Sequence, residues 1–401
     1  MTDATADRSR RWSDAVLDAA RRRGDPPADE AVAALFAHGG PDAVRGLMGQ
    51  LVMNDALVPA ALPAPLAGYL DATVVLDPRA AATVGAGERV FAVHGPEILI
   101  ALCCSSLPSA YAARKGVQVL HRTSYLAKRP TRRLFETAQM IIDVMSPGGL
   151  GPAGRGLRTV QKVRLMHAAV RHLIRHDAVQ PWPLDDLGLP INQEDLLGTL
   201  MTFSWLIVRG LGTLGVSVSA ADLDAYTATW MHIGRLMGIE PALLPATVDE
   251  TRFVSDTIER RQVAPSAEGR EMTAALLGMM RHNLPAPLGG VPAALLRAFL
   301  PPAVADGLDV PSQPLEQALV TAADHLIRPF ERLADREAGR HVALRAFAIH
   351  LLRGMQAVEL GDARARFTVP DRLSAGWGTA PADSEESFWH KLVAWDTARR
   401  G

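Results

Sequence analysis

Apolar residues recur every three to four positions along most of the chain between residues 95 and 360, the spacing that places them on one face of an α-helix. Two helix starts are marked by a capping side chain with an acid three positions later, Asn192 with Asp195 and Ser219 with Asp222. We therefore predict an all-α fold, a large single-domain helical bundle. The breaks between its helices are predicted at 146–156, 180–190, 210–215, 264–266 and 285–302.

The two ends of the chain differ from this bundle. Short amphipathic segments separated by Pro-rich turns fill residues 11–70, and Ala72–Leu76 is a candidate short strand. We assign residues 1–90 to an N-terminal helical extension packed on the core, and 91–365 to the main helical domain. Residues 366–401 are rich in Gly, Pro and Ser and are predicted to form an irregular tail.

Composition narrows the classes of partner. The chain has 401 residues, of which 48% are hydrophobic, so it can bury a large core. Its formal net charge is only −1, which leaves no electrostatic footprint for nucleic acid or an anionic membrane. A small neutral substrate fits this balance better. The two cysteines, Cys103 and Cys104, are adjacent and lack a CxxC spacing, so we interpret them as buried small residues in a reducing compartment.

Two stretches imitate an export signal and a membrane span. Ser9–Trp12 resembles a twin-arginine signal, but acidic and basic residues between Asp14 and Asp25 interrupt the apolar run that such a signal requires. Leu196–Val216 has nearly the length of a membrane span, yet it contains Arg209 and several Gly and Thr residues. We predict a buried central helix there, no stable membrane insertion and a cytoplasmic location.

The helix predicted over Thr159–Arg175 carries a histidine, His167, in the middle of its apolar face. A core histidine satisfied by a backbone carbonyl is the common explanation for such a residue. Arg164, Arg171 and Arg175 form a basic stripe beside it. A haem needs this combination, namely a neutral imidazole for its iron and cations for its two propionates. A solvated helix edge is the alternative explanation of the stripe.

The helix predicted over Thr131–Met145 suits a pocket wall, because its face is polar at Arg133 and Thr137 and apolar further on. An arginine and a hydroxyl there could hydrogen-bond to dioxygen and stabilise developing charge. The alternative is a surface ion pair of Arg133 or Arg132 with Glu136, with Thr137 merely packed.

Thr199 lies among Leu, Met and Phe residues, so its hydroxyl needs a partner. A threonine within a helix usually donates to the carbonyl four residues earlier. A position beside a cofactor is the alternative that would give this hydroxyl a functional role.

Three further patterns have simpler explanations. Gly210-x-Gly212-x-x-Gly215 fits a dinucleotide fingerprint but lacks the preceding strand and following helix, so helix breaking or close helix packing is the better interpretation. His172 and His176 have a metal-chelating spacing at the charged end of their helix, where a solvated polar face is favoured. His232 is a weaker iron-ligand candidate than His167, because its aromatic neighbours indicate core packing.

Several short motifs, taken in their order and spacing over roughly residues 90 to 280, resemble the rubber oxygenase family, which includes latex-clearing proteins and MpaB-type oxygenases. The motifs are His94-Gly95-Pro96, Ser106-Leu107-Pro108, Ala110-Tyr111-Ala112, Arg132-Arg133-Leu134-Phe135-Glu136-Thr137, Val163-Arg164-Leu165-Met166-His167 and Pro190-Ile191-Asn192-Gln193.

This resemblance implies an all-helical fold that encloses one b-type haem, with dioxygen as co-substrate. It also implies oxidative cleavage of isoprenoid-like carbon–carbon double bonds, as in the best-known members. By the same resemblance His167 is the proximal iron ligand, Arg133 and Thr137 are the distal polar pair, and Thr199 matches a threonine that follows the last of these motifs. Arg164 and Arg171 are then the expected partners of the haem propionates.

The sequence departs from the rubber-cleaving members at Glu136, where they have lysine, and at Met201, where they have histidine. We also expect no export signal like theirs. We therefore expect a haem-dependent oxygenase that acts on a small apolar intracellular metabolite of the terpenoid or polyketide type. A haem peroxidase or monooxygenase on the same scaffold, a non-catalytic haem sensor or carrier, and a helical protein without haem remain the alternatives.

Overall fold

The computed structural model describes residues 3–37, 64–73, 80–123, 130–282 and 289–312, with no side chains described at 3–5 and 130–135. Within these ranges every regular element is a helix, and one isolated β-bridge joins Ala113 to Val263. The predicted all-α class is confirmed. The candidate strand at 72–76 is wrong for its first residue, since Ala72 ends a helix. Residues 74–76 and the predicted tail, 366–401, lie outside the described ranges.

The helices are numbered here in chain order. They are α1 Asp3–Arg11, α2 Asp14–Ala20, α3 over 26–37, α4 Ala64–Ala72, α5 Ala81–Ala101, which continues into the π-helix Leu102–Ser106, α6 Leu107–Ala112, α7 Val117–Arg122, α8 Pro130–Met145, α9 Arg155–Arg175, α10 Leu184–Leu187, α11 Gln193–Phe203, α12 Trp205–Thr213, α13 Ala220–Leu236, α14 Val248–Gln262, α15 Ala267–His282, α16 Val291–Phe299 and α17 Pro302–Gly307.

The core forms around α5, which packs along α13 and is buried over most of its second half. Pro96 removes one helical hydrogen bond from α5, and His94 accordingly has non-helical backbone angles. The helix then widens into the π-helix, where Cys103 and Cys104 are buried and free of a disulfide, as predicted. Burial raises the pKa of Cys103 to about 12, so its thiol stays protonated and is a poor nucleophile.

The N-terminal helices pack on this core. Trp12 is 1% exposed, and its Nε1 donates to the carbonyl of Leu243 at 2.8 Å. The boundary that we predicted at residue 90 falls inside α5, so the described part of the extension ends before that helix.

The predicted helix starts and breaks were partly confirmed. Asn192 and Ser219 accept hydrogen bonds from the backbone N–H groups of Asp195 and Asp222, as expected of N-caps. The predicted break at 285–302 is wrong in part, because Pro292 lies in the first turn of α16, where proline is tolerated. The expected single helix from Leu196 is instead two helices, since Ser204 has φ −97° and ψ −80° between α11 and α12.

The glycines in the α12 region have the structural roles that we favoured. A Cβ on Gly210 would lie 2.7 Å from the Cβ of Ala101, so this glycine permits close helix packing. Gly215 has a φ of +73° and follows the end of α12, the left-handed position at which helices commonly stop. These glycines therefore do not form a dinucleotide site.

Among the residues that the structure describes, two helical stretches, 81–112 and 193–213, have the length and composition of membrane spans. In their most apolar parts 78% and 56% of the residues are buried within the fold, as expected for helices that pack in a protein core.

Candidate functional site

A cavity of about 360 Å³ opens between α6, α7, α8, α9, α11, α13 and α14. Its walls are mainly aliphatic and thioether side chains, with a few hydroxyl and carboxyl groups. This size and character are typical of a site for a small apolar ligand.

His167 lines this cavity from α9. The helix begins at Arg155, one turn earlier than predicted, after the extended residue Gly154. Val163, Met166 and Val170 line the cavity with His167, since positions three and four apart share a helix face. The site therefore presents one imidazole on an otherwise apolar stretch of wall.

The α8 wall contributes Glu136, Thr137 and Met140 to the cavity. Thr137 thus lies on the cavity side of its helix, as the face of the predicted pocket wall requires. Arg133 belongs to the same helix, but its side chain is outside the described part of the structure, so its predicted contact with dioxygen and the alternative ion pair both stay predictions.

Thr199 and Met201 line the cavity from α11. The Thr199 hydroxyl donates to the backbone carbonyl of Asp195 at 2.8 Å, which is the bond common to threonines within helices. Its oxygen keeps its acceptor capacity toward the cavity, because a hydroxyl has two lone pairs. Thr199 therefore both makes the ordinary hydrogen bond within its helix and lines the cavity.

Methionine is a prominent part of the wall, which we did not anticipate. The lining includes Met140, Met166, Met201, Met237 and Met272, which come from five different helices or their ends. Thioether side chains are flexible and polarizable, so they adapt to irregular ligand shapes. Residue spacing within one helix could not predict this methionine cluster, because its members meet only when different helices pack together.

The structure corrects the expectation for Arg164 and Arg171. Neither lines the cavity, and they are only 7% and 2% exposed. The Arg164 guanidinium binds the Asp25 carboxylate, and that of Arg171 binds Asp29. Their charges are thus neutralised by N-terminal carboxylates, so we no longer assign them to propionates. They do not form the alternative solvated edge either, although Arg175 is exposed.

Two acids at the start of α11, Glu194 and Asp195, also border the cavity. Arg21 Nη1 lies 2.9 Å from Asp195 Oδ1 and 3.2 Å from Glu194 Oε2. Burial raises the pKa of Asp195, while the neighbouring Arg21 acts in the opposite direction. Arg21 is 173 positions from Glu194, so no local sequence signal could have indicated this pairing.

The other histidines considered as ligands, His172, His176 and His232, lie outside the cavity lining. His232 is 8% exposed and lies in α13, in agreement with core packing. The rings of His172 and His176 stack at a centroid distance of 4.2 Å, and His172 also stacks on Phe36 at 4.2 Å. The His172 ring is therefore partly covered, whereas His176 is exposed as predicted.

Comparison with known proteins agrees with this architecture. Residues 52–329 match the family model for the catalytic domain of ER-bound oxygenase mpaB/B′ and rubber oxygenase. A rubber oxygenase from Streptomyces sp. (strain K30) is 27% identical over 318 residues, which cover 76% of this chain and 75% of that protein.

A solved structure has a similar fold. The structure of latex clearing protein in the closed state superposes with a TM-score of 0.63 at 24% identity, covering 82% of this chain and 91% of that one. The family match spans well over half of the chain. The chain therefore belongs to the mpaB/rubber oxygenase catalytic-domain family and is an oxidoreductase of the oxygenase type.

Proposed function

We propose that this protein is a haem b-dependent oxygenase that uses dioxygen to oxidise a small apolar substrate. The observation that carries the proposal is the position of His167, which opens on an apolar cavity together with Thr137 and Thr199 in a chain of an oxygenase family.

The donor set of the cavity fits a haem. No cluster of three or more His, Cys, Asp or Glu side chains that could hold a bare metal ion occurs within the described ranges. A single imidazole is a sufficient protein ligand when a macrocycle supplies the other metal ligands. The apolar walls suit the large hydrophobic face of such a macrocycle.

His167 would hold the haem through one nitrogen of its neutral imidazole. The bound haem supplies the redox-active iron that reacts with dioxygen. Thr199 donates its own proton to the Asp195 carbonyl, so its oxygen can accept a hydrogen bond from a water or a protonated group in the cavity. The aliphatic and methionine walls exclude bulk water and thereby strengthen these polar contacts.

The proposed substrate is a small molecule of the isoprenoid or polyketide type, and oxidative cleavage of a carbon–carbon double bond is the proposed reaction. The similarity to a rubber oxygenase supports an unsaturated substrate, and the largely aliphatic and thioether walls of the cavity suit an apolar one. The five methionines of the wall would allow several shapes of substrate. We propose a cytoplasmic location for the enzyme, which subcellular fractionation would test.

The experiment that tests haem binding compares the full chain, expressed with a haem precursor, with two histidine variants. We expect a Soret band in the wild type and its loss or displacement in His167→Ala. His172→Ala is the matched control, since His172 lies on the same helix outside the cavity lining, and its band should be unchanged. Circular dichroism checks the fold of each variant. A folded wild type with no Soret band would refute the proposal.

The reaction is tested by oxygen consumption with squalene against its saturated counterpart, squalane. We expect uptake with squalene alone, together with carbonyl products detected by mass spectrometry. Turnover that requires peroxide and ignores dioxygen would replace the oxygenase assignment with a peroxidase. A Soret band without any turnover would indicate a haem carrier or sensor.

A further inference from the structure

A short segment near the N-terminus, residues 21–29, is linked to α9 and α11, the helices that carry His167 and Thr199. We call it the N-terminal clasp. It follows α2 and includes the first turn of α3, and its charged side chains pair with partners far along the chain. The pairs are Arg21 with Glu194 and Asp195, Arg23 with Glu240, Asp25 with Arg164, and Asp29 with Arg171.

The first link to the His167 helix is the pair of Asp25 and Arg164. Arg164 Nε and Nη2 lie 2.8 and 2.7 Å from the two oxygens of Asp25, and the side chains are only 9% and 4% exposed. Arg164 Nη1 also donates to the carbonyl of Leu236 at 3.0 Å. Because two hydrogen bonds join the groups, the pair fixes the orientation of the Arg164 guanidinium as well as its distance from Asp25.

The second link is the pair of Asp29 and Arg171. Arg171 Nε lies 2.8 Å from Asp29 Oδ1, and Nη1 donates to the carbonyl of Ile191 at 2.6 Å. Ile191 has a φ of +52°, an unfavourable angle for a β-branched residue, and it directly precedes the cap Asn192 of α11. Arg171 therefore joins the clasp, α9 and the start of α11 at one point.

The two arginines flank His167 on one side of its helix. Arg164 is three residues before it and Arg171 four residues after it, which places both about 40–60° around the helix axis in the same sense. The cavity-lining Val163 and Val170 lie about 40–60° in the opposite sense. Two attachments roughly 10 Å apart along the axis hinder rotation of the helix and thus set the direction in which His167 points.

Glycines make room for both links. A Cβ on Gly238 would lie 2.6 Å from Asp25 Oδ2 and 2.8 Å from Arg164 Nε. A Cβ on Gly24 would lie 2.6 Å from Asp29 Oδ2 and 3.0 Å from Arg171 Nε. Both ion pairs are thus packed directly against backbone that has no side chain.

The clasp holds the Thr199 helix as well. Gln193, the first residue of α11, donates from Nε2 to the carbonyls of Gly24 at 2.7 Å and Gly238 at 2.9 Å. Arg21 binds the Asp195 carboxylate, and the carbonyl of Asp195 accepts the Thr199 hydroxyl. The start of α11 is therefore tied to the same segment as α9.

We infer that the N-terminal clasp is a positioning element, which orients His167 through Arg164 and Arg171 and orients Thr199 through Gln193 and Asp195. The part of this inference that concerns haem rests on the proposed function. The part that concerns the two helices does not, because it can be measured without haem.

The first test is hydrogen–deuterium exchange of the full chain in wild type, Asp25→Asn and Glu240→Gln. We expect Asp25→Asn to raise exchange at least tenfold in peptides covering 160–171 and 193–199. Glu240→Gln is the matched control. It removes the two-pronged ion pair between Glu240 and Arg23 of the clasp, and Glu240 lies outside α9 and α11. Unchanged exchange in Asp25→Asn, or an equal rise in Glu240→Gln, would overturn the inference.

The second test is the rate of haem transfer from the loaded protein to excess apomyoglobin. We expect Asp25→Asn and Arg164→Gln each to accelerate haem loss at least tenfold and to alter the Soret band, and the double variant to be no worse than either, because both act through one pair. If Asp25→Asn does not fold, Asp29→Asn serves in its place, since the Asp29 side chain is 34% exposed. Lower thermal stability with wild-type haem loss and spectrum would overturn the positioning role.

Discussion

Arg164 and Asp25 form a two-pronged ion pair between buried side chains that are 139 positions apart in the sequence. The pair joins the helix of His167 to the N-terminal clasp. Its location also explains why a cation three residues before His167 does not reach the cavity. The charge is already balanced, and moving Arg164 to the cavity would leave the Asp25 carboxylate buried without a counterion.

We predict that Arg164→Gln lowers the free energy of unfolding by about 3–5 kcal/mol, the usual consequence of removing one partner of a buried ion pair. Urea unfolding followed by circular dichroism measures the change. Arg252→Gln is the control, because Arg252 and Asp256 form a largely exposed pair at 3.9 Å, and it should shift stability by at most ~0.5 kcal/mol. Equal effects of the two substitutions would contradict a special role for Arg164.

The histidine helix could be predicted from periodicity, because His167 and its apolar neighbours follow one another at helical spacing. Its arginine partners could not, because Asp25 and Asp29 come from a distant part of the chain. Periodicity also correctly predicts that Thr137 and Thr199 lie on helices. Their shared cavity with His167 could not be predicted, because it depends on packing between helices. The break at Ser204 has no proline or glycine to mark it, and Pro292 lies in the first turn of α16, although a proline at this place in the sequence predicts a break.

Gly238→Ala should destabilise the fold by ~1–3 kcal/mol, the usual cost of an unfavourable backbone angle. Its φ of +84° disfavours a side chain, and the added methyl would also press on Asp25 and Arg164. Gly212→Ala is the opposite case, since a Cβ there meets nothing within 4 Å inside α12. It should stabilise the protein by ~0.5–1 kcal/mol. Thermal unfolding of both variants checks the contrast, and a stabilised Gly238→Ala would show that the close approach is absent.

The stability of the protein should fall in mild acid in part through His172. Burial is the main cause that lowers the pKa of His172 from 6.5, with His176 and Arg175 acting in the same direction. The folded state therefore binds fewer protons than the unfolded state once the pH drops below 6.5, and stability decreases until the pH is below the lowered pKa.

We expect His172→Phe, which keeps a ring beside Phe36, to reduce the loss of melting temperature between pH 7.5 and 5. His176→Phe is the control, because His176 is exposed, and it should lessen that loss by a smaller amount through its contact with His172. The same loss in His172→Phe as in the wild type would assign the acid sensitivity to other groups.

Thr199→Val should lower oxygen consumption by about 10- to 100-fold, the effect of removing one hydrogen bond worth ~1.5–3 kcal/mol to a charged group, while stability changes little. Valine keeps the shape of the side chain but removes the oxygen that can accept a hydrogen bond from a group in the cavity. Thr273→Val is the matched control, since Thr273 makes the same type of bond to the carbonyl of Gly269 at 2.8 Å and does not line the cavity. Its activity should equal that of the wild type. If both variants kept full activity and a normal fold, the Thr199 hydroxyl would serve only its helix, and the polar contribution to oxygen activation would have to come from α8.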